Sequence, residues 1–365
     1  MKNKIEYIII KNKRNPNIDF IRVFGMFSIV IHHLIYHGKA KLKYIKYKEL
    51  ELLTVLLMWH VSSFGIISGM IGNKTHKFSN LLYLWILVLF YTLIFYIIFN
   101  KIDPNVLIAK FFPVIHHEYW YFSAYFGIYP FLPFINMGIN TLSQIVIKKS
   151  IYFMILAFFI LAVYYFDTFG LRNGYSPFCL LIYYIFGAYA GKFIFHKIKL
   201  KIYRRSICLM CFLIFMSSSL LCYNVRTNQN LKNLEYKLKG LLKGGIFSFP
   251  ILFQVFSIII FVAQINFNIY ISNVFTFLGP ITFDVYLIHE NIFVRRIYIS
   301  NIFNNNSNNL SLFNVLILIT SKALLIFFIC IFFGYIRAKI FSIFKIRNIC
   351  ILIESFSTKL LAILP

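Results

Sequence analysis

Long runs of apolar residues alternate with short polar segments along most of the chain. A helix that crosses a membrane needs roughly 20 mainly apolar residues, and about ten runs meet or approach that length. The runs do not alternate with a period of two, so we expect helices and not barrel strands. The pattern therefore predicts an all-α bundle of about ten transmembrane helices. The predicted spans cover residues 18–36, 51–72, 81–100, 119–139, 151–166, 176–195, 206–223, 246–262, 274–294 and 312–335.

Composition narrows the class of protein further. Of the 365 residues, 60% are apolar and 13% are charged. A soluble globular chain has about 45–50% apolar and about 25% charged residues, so a water-soluble globule is excluded. Disordered chains lack apolar mass, and a nucleic-acid binder would gather its bases into one domain. We expect a polytopic membrane protein whose partner is the lipid bilayer and which binds no nucleic acid.

Basic residues orient the chain, because cytoplasmic loops of membrane proteins carry an excess of Lys and Arg. The net charge is +26, and the bias favours a cytoplasmic N-terminus. The basic loops at 37–50 and 224–245 would lie outside and weaken the bias. An even number of spans puts both termini in the cytoplasm. The predicted organisation is a basic cytoplasmic tail over 1–17, a membrane domain over 18–335 and a basic cytoplasmic tail over 336–365.

Ionisable residues inside apolar spans are costly, so each is a candidate functional residue. Eight residues meet this criterion: Asp19, Arg22, His32, His33, His60, Asp284, His289 and Lys322. Lys322 is interpreted as a residue that reaches the interface or pairs with a neighbour.

The first span holds Asp19, Arg22 and His33. Arg22 and His33 are eleven positions apart, about 20° from full helical turns, so both lie on one face and about 16 Å apart. Asp19 lies three residues before Arg22 and can pair with it. A cation at one end and an imidazole toward the other suit a long anionic ligand. The alternative is that Asp19 and Arg22 reach the interface and the histidines end the span.

Two further segments have a structural and a functional interpretation. The small residues of Phe64–Gly72 favour close helix packing, and the alternative is that they admit a ligand chain. Aromatic residues near Trp120 are typical of an interfacial belt, and Glu118 beside two histidines is a candidate substrate contact.

Near the C-terminus, Asp284 and His289 are five residues apart. This spacing corresponds to about 140° around a helix, so the two side chains do not form a dyad on one face. His289 is either an interfacial residue or part of a site.

Sequence motifs for other chemistries are absent. The chain has no P-loop, dinucleotide fingerprint or nucleophile elbow. Cys208 and Cys211 resemble half of a zinc knuckle, but no second pair accompanies them. We therefore expect no metal.

The chain resembles the acyltransferase 3 family of bacterial integral membrane acyltransferases. The family's first span has an acidic residue, then Arg, ten residues and His, and its C-terminal part has an aromatic followed by Tyr-Leu-Ile-His. The segments that carry the resemblance are Asp19, Arg22 and His33; Phe64 to Gly69; Trp120 to Asn136; and Phe283 to His289. Asp284 departs from the pattern, because a small residue is more usual there.

The resemblance implies an enzyme of the bacterial inner membrane that acylates surface polysaccharide or its lipid-linked precursor. His33 would be the catalytic base or a transient acyl acceptor, and an imidazole with an unperturbed pKa of about 6.5 suits both tasks. Arg22, with Asp19, would bind the donor, acetyl-CoA or another acyl-CoA. His289, Glu118 and Trp120 would contact the glycan acceptor.

Two other functions remain open from the sequence. Buried charges also fit a translocation path, so a polysaccharide exporter is the first alternative. A polysaccharide polymerase is the second, since such enzymes are also polytopic, basic and aromatic-rich.

Overall fold

The computed structural model describes residues 14–44, 46–72, 77–99, 107–108, 110–116, 118–161, 171, 174–194, 204–227, 248–304, 306 and 309–361. Within these residues the chain is helical and contains no strand. The predicted all-α class is therefore confirmed. The predicted tail 1–17 and the end of the predicted span 151–166 lie largely outside the described residues.

The first half of the chain forms α1 (Pro16–Tyr36), α2 (Ala40–Lys43), α3 (Glu49–Leu57), α4 (Trp59–Gly72), α5 (Phe78–Phe99), α6 (Trp120–Ile128), α7 (Leu132–Thr141), α8 (Gln144–Met154) and α9 (Pro177–Tyr189). The second half forms α10 (Arg204–Thr227), α11 (Phe249–Ala263), α12 (Ile269–Leu278), α13 (Thr282–His289), α14 (Ile292–Val294), α15 (Leu312–Ile343) and α16 (Ile346–Leu361). One-turn 3₁₀ segments join α6 to α7 and α12 to α13.

Within the described residues, seven helical segments are long and apolar enough to cross a membrane. They correspond to seven of the predicted spans, and the last runs to Ile343, well beyond the predicted end at 335. Of the other three predicted spans, 246–262 is the 15-residue helix α11, and 119–139 is interrupted by the 3₁₀ turn after α6. The third, 151–166, is described only as far as residue 161.

Helix α1 lies at the centre of the bundle and packs against α4, α12, α13 and α15. The Asn15 side chain accepts a hydrogen bond from the Asn17 amide at 3.0 Å, and Pro16 fills the first helical turn, where a missing N–H costs nothing. The Asn17 side chain donates to the carbonyls of Val262 and Ile265 at the end of α11. These contacts fix the depth at which α1 enters the bundle.

The predicted second span is a broken helix. A turn at Met58 separates α3 from α4, and Trp59 directly after it is 1% exposed. The Trp59 ring stacks on Phe24 of α1 with 5.9 Å between centroids. The break therefore presents the start of α4, including His60, to the middle of the bundle.

Small residues allow α4 and α9 to approach backbone to backbone, as the sequence predicts for Phe64–Gly72. A Cβ atom at Gly69 would overlap the carbonyl oxygen of Tyr184, and one at Gly187 would overlap that of Ile66. The structure therefore shows that these glycines allow close helix packing.

The predicted C-terminal boundary at 335 falls inside α15, and α16 packs against α5. Arg337, within the predicted tail 336–365, is 4% exposed and pairs with Asp284. Lys322 pairs with a neighbour, donating to the carbonyl of Ile302 and, at 2.9 Å, to the side chain of Asn306.

Candidate functional site

A cavity of about 60 Å³ lies where α1, α4, α6 and α13 meet. One water molecule needs about 15 Å³ of such a volume, so the cavity has room for a few non-hydrogen atoms but not for a whole sugar. Its polar and aromatic lining includes His32, His33, His60, Trp120, Tyr121 and Tyr286. The cavity therefore suits a small reacting group next to imidazoles.

His33, in the last turn of α1, meets His289 at the end of α13. The Nδ1 atom of His33 lies 2.9 Å from Nε2 of His289, and the ring centroids are 5.1 Å apart. His289 is fully buried, whereas the His33 side chain is 16% exposed. The structure thus brings together two predicted site residues that are 256 positions apart in the sequence.

The hydrogen-bond partners assign the proton positions in this pair. Nδ1 of His289 lies against the carbonyl oxygen of Val285, which can only accept, so that nitrogen carries the hydrogen. In the neutral ring, Nε2 of His289 is then an acceptor, and Nδ1 of His33 must donate to it. The Nε2 atom of His33 keeps its lone pair.

Glu290 adds a carboxylate to the same cluster. Its Oε1 atom lies 3.0 Å from Nδ1 of His33 and 3.6 Å from Nε2 of His37, and its Oε2 accepts a hydrogen bond from Arg295 at 3.1 Å. Burial alone would raise the pKa of Glu290, but the neighbouring imidazoles, His33 first, outweigh it and lower the pKa to about 2. Glu290 is therefore a carboxylate at neutral pH.

This arrangement equips His33 to act as a base. When Nε2 of His33 takes a proton, the new imidazolium lies beside the Glu290 carboxylate, which stabilises the positive charge. The hydrogen bond between Nδ1 of His33 and Nε2 of His289 holds the His33 ring, so Nε2 of His33 keeps one orientation. The same lone pair also makes Nε2 a nucleophile.

The same three side chains have the geometry of a metal site. One ligand atom from each of His33, His289 and Glu290 lies within 4.8 Å of the others. Two imidazoles and one carboxylate are a ligand set that zinc accepts. Nδ1 of His33 and Nε2 of His289 already contact one another at 2.9 Å, and Oε2 of Glu290 accepts a hydrogen bond from Arg295.

Asp19 anchors a second cluster about four turns away from His33 on α1. Its carboxylate, 1% exposed, accepts hydrogen bonds from Arg14 at 2.6 and 2.8 Å and from Nη1 of Arg22 at 3.0 Å. The predicted pairing of Asp19 with Arg22 is confirmed, and Arg14 is a partner that the sequence analysis missed. A Cβ atom at Gly279 would overlap the Asp19 carboxylate, so glycine is needed there for α12 to approach α1.

The two arginines give this cluster a net positive charge. Arg22 uses one of its five donors on Asp19, and its side chain is 27% exposed. The donors that remain are available to an anion.

The segment at the start of α6 carries two of the predicted site residues, Glu118 and Trp120. Trp120 lines the cavity, whereas Glu118 forms an ion pair with Lys110. Tyr119 is 1% exposed. Its hydroxyl donates to the carbonyl of Leu287 at 2.9 Å and accepts from Asn291 at 3.0 Å, which fixes the turn that carries His289.

Asp284 and His289 point to different partners, as their spacing predicts. Asp284 is fully buried and accepts hydrogen bonds from Nε of Arg337 at 2.7 Å and from the hydroxyl of Tyr91 at 2.7 Å. Arg337 also donates to the hydroxyl of Tyr83 at 3.2 Å. The pair joins α13 to α15 and holds the helix that supplies His289.

Three residues of the site were not predicted as site residues: Glu290, His32 and His60. Both histidines were flagged as buried ionisable groups, which is the signal that could have found them. Glu290 follows the Tyr-Leu-Ile-His string directly, and its acidic character next to a candidate histidine is the available signal.

Fold and site together define a polytopic membrane protein with paired imidazoles and a carboxylate beside a small aromatic cavity. A family model described as an acyltransferase domain matches residues 15–338. The chain therefore belongs to the acyltransferase 3 family, and membership indicates a multi-pass membrane acyltransferase. No curated protein and no solved structure matches the chain.

Proposed function

We propose that the protein moves an acetyl or other short acyl group from acyl-CoA to a hydroxyl of a bacterial surface polysaccharide or its lipid-linked precursor. The site would work in the inner membrane, with Asp19 toward the cytoplasm and His33 toward the outer face. The observation that carries the proposal is the position of His33, which lines a small aromatic cavity while its Nδ1 atom contacts His289 and Glu290.

His33 acts as the general base in this proposal. Nε2 accepts the proton of the acceptor hydroxyl while the hydroxyl oxygen attacks the thioester carbonyl carbon. The C–O bond forms, the C–S bond breaks, and the departing thiolate takes the proton from His33. The products are an O-acyl ester and free CoA. Glu290 lowers the energy of the imidazolium form that exists between the two proton transfers.

The charge distribution along α1 supports a CoA donor. Arg22 and Arg14 give the Asp19 cluster a net positive charge, which suits the phosphates of CoA. About 16 Å of helix separates Arg22 from His33, so the donor must be elongated, with its anionic end far from the reacting carbon. The volume of about 60 Å³ at His33 favours a short acyl group.

The acceptor side rests on Trp120. Its ring lies on the cavity wall, and aromatic rings present a flat apolar surface of the kind that packs against sugar rings. Glu118 is a weaker candidate for this contact because Lys110 already binds it.

The test is NMR of surface polysaccharide from a deletion strain that carries wild-type protein, His33→Ala or no protein. His116→Ala is the matched control, since His116 is an exposed histidine. We expect an ester acyl signal with wild type and His116→Ala, no signal with His33→Ala, and unchanged glycan length in all strains. The chemical shifts identify the acyl group and the acylated position.

Two results would contradict the proposal. An acyl signal of normal size with His33→Ala would remove the mechanism. An unchanged acyl pattern with less exported glycan in the deletion strain would favour an exporter, and shorter glycan would favour a polymerase.

A separate experiment distinguishes a base from an acyl carrier. Membranes are incubated with radiolabelled acetyl-CoA after the glycan acceptor has been removed. A base leaves the protein unlabelled, whereas an acyl acceptor at Nε2 retains label that His33→Ala loses.

A further inference from the structure

His32 and His60 form a second imidazole pair in the cavity. The ring of His32, on α1, lies 5.2 Å from the ring of His60, at the start of α4, with an angle of 65° between the planes. His60 is 3% exposed. Among the described residues, none of the four ring nitrogens has a hydrogen-bond partner, and all four are buried.

Unpartnered nitrogens in two adjacent rings need an explanation, since a buried polar atom without a partner lowers stability. His33 and His289 show that this bundle can satisfy buried imidazoles when their role is structural or catalytic. The hydroxyl of Ser63, one turn from His60, donates to the His60 carbonyl and leaves the ring nitrogens untouched. The two rings therefore present unused donors and acceptors to the cavity.

The position of the pair relates it to the base. His32 and His33 are adjacent in α1, and their ring centroids are 6.0 Å apart. His32, His33 and His60 all line the same cavity. A reacting carbon between them would have the base on one side and the unused N–H donors on the other.

We propose that the N–H groups of His32 and His60 bind the carbonyl oxygen of the acyl group and stabilise its negative charge in the transition state. This inference rests on the proposed acyl transfer and assigns the oxyanion-binding residues of that reaction. In the neutral form each imidazole carries one N–H donor. Two donors fixed in a small, buried site are the arrangement that stabilises an oxyanion most strongly, because no reorientation is needed.

The step balances with the groups named. As the acceptor oxygen bonds to the carbonyl carbon, the carbonyl π electrons move to its oxygen, which accepts hydrogen bonds from His32 and His60. The acceptor proton resides on Nε2 of His33. When the C–S bond breaks, the electrons return to the carbonyl, the oxyanion disappears, and the thiolate takes the proton. His32 and His60 neither gain nor lose a proton.

The experiment compares His60→Leu with His60→Gln, and His32→Leu with His32→Gln, because the amide of Gln keeps an N–H donor and cannot serve as a base. Ile35→Leu is the packing control, since Ile35 is a buried apolar residue of the same helix as His32 and does not line the cavity. Membrane vesicles from the deletion strain expressing each variant receive radiolabelled acetyl-CoA, with their own glycan as acceptor. Label in the glycan gives kcat, KM and the pH profile, and the thermal stability of each purified variant checks folding.

We expect each Leu variant to lower kcat by about 100-fold or more, with KM for acetyl-CoA changed less than about 3-fold. Each Gln variant should have a kcat at least about tenfold higher than the Leu variant at the same position, and its pH profile should match that of wild type. Ile35→Leu should remain close to wild type.

Two outcomes would overturn the inference. Leu variants that fold and keep wild-type kcat would show that the rings bind no reacting oxygen. Gln variants as inactive as the Leu variants, with an altered pH profile, would show proton transfer instead. His33→Ala in the same assay distinguishes failure of the proposed acyl transfer from failure of this inference. If His33→Ala is active, the proposed mechanism is refuted. If His33→Ala is inactive and the Leu variants are active, only the role of His32 and His60 is refuted.

Discussion

Replacing Arg337 by Met tests the buried ion pair that holds α13 against α15. Asp284 is fully buried and Arg337 is 4% exposed, so the substitution leaves a carboxylate in the protein interior without its cation. Removing one partner of a buried pair costs about 3–5 kcal/mol, because the other charge is left uncompensated. We expect Arg337→Met to lower the free energy of unfolding by that amount and to reduce acylation through the displaced His289.

The double variant Asp284→Leu with Arg337→Met removes both charges. Replacing a buried pair by apolar residues is often neutral, so most of the loss should be recovered. The hydroxyl of Tyr91 donates to Asp284 in the wild type and would lose its acceptor. An unsatisfied buried hydroxyl costs about 1–3 kcal/mol, which should remain in the double variant and disappear when Tyr91→Phe is added.

The assay is unfolding of purified protein in mixed micelles, followed by tryptophan fluorescence. Lys339→Met is the control, since it makes a similar change at an exposed position of the same helix. A free energy of unfolding for Arg337→Met within about 1 kcal/mol of the Lys339→Met value would refute the reasoning, as would a double variant as unstable as the single.

Three further predictions follow from the site and the packing. The pKa of Glu290 is lowered to about 2, so its carboxylate stabilises the fold fully above its unfolded pKa of about 4.5 and loses that effect as the pH falls toward 2. The stability difference between wild type and Glu290→Gln should thus be present at about pH 6 and shrink as the pH falls below about 4.5, and an undiminished difference at about pH 3 would contradict this. Acylation in membrane vesicles should be unaffected by EDTA or 1,10-phenanthroline, because His33, His289 and Glu290 pair with one another; inhibition reversed by added zinc would indicate a metal. Gly69→Ala should destabilise the protein by about 1–3 kcal/mol in thermal unfolding, since its Cβ would overlap the Tyr184 carbonyl, whereas Gly138→Ala has room and should be close to neutral.

The helices and one face of α1 could be predicted because both follow from local spacing. Apolar runs of sufficient length identify spans without any tertiary information, and a helix fixes the angle between Arg22 and His33. The pairing of Asp19 with Arg22 follows from the same regularity, since residues three apart on a helix are neighbours.

The partners of His33 could not be predicted, because no local rule connects the end of α1 with the end of α13. His289 was identified as a candidate, yet its contact with His33 spans 256 positions. Glu290 shares that position but was not identified, since an acidic residue at the end of a span also suits the interface. The turn at Met58 brings His60 to the cavity, but no Pro or Gly near Met58 predicts a turn there.

Asp284 is a carboxylate at a position where the family pattern has a small residue, and its neighbours in the structure explain this departure. A carboxylate in place of a small residue needs a cation and extra room, and α15 supplies both. Arg337 provides the cation, and Gly334, one turn earlier, provides the room, because a Cβ atom there would lie 2.9 Å from the Cβ of Asp284. The three residues therefore form one unit, and the unit anchors the helix whose last residue, His289, orients the base. A chain of this family with a small residue at this position has no carboxylate for an arginine to neutralise, so we expect its α15 to carry an apolar residue in place of Arg337.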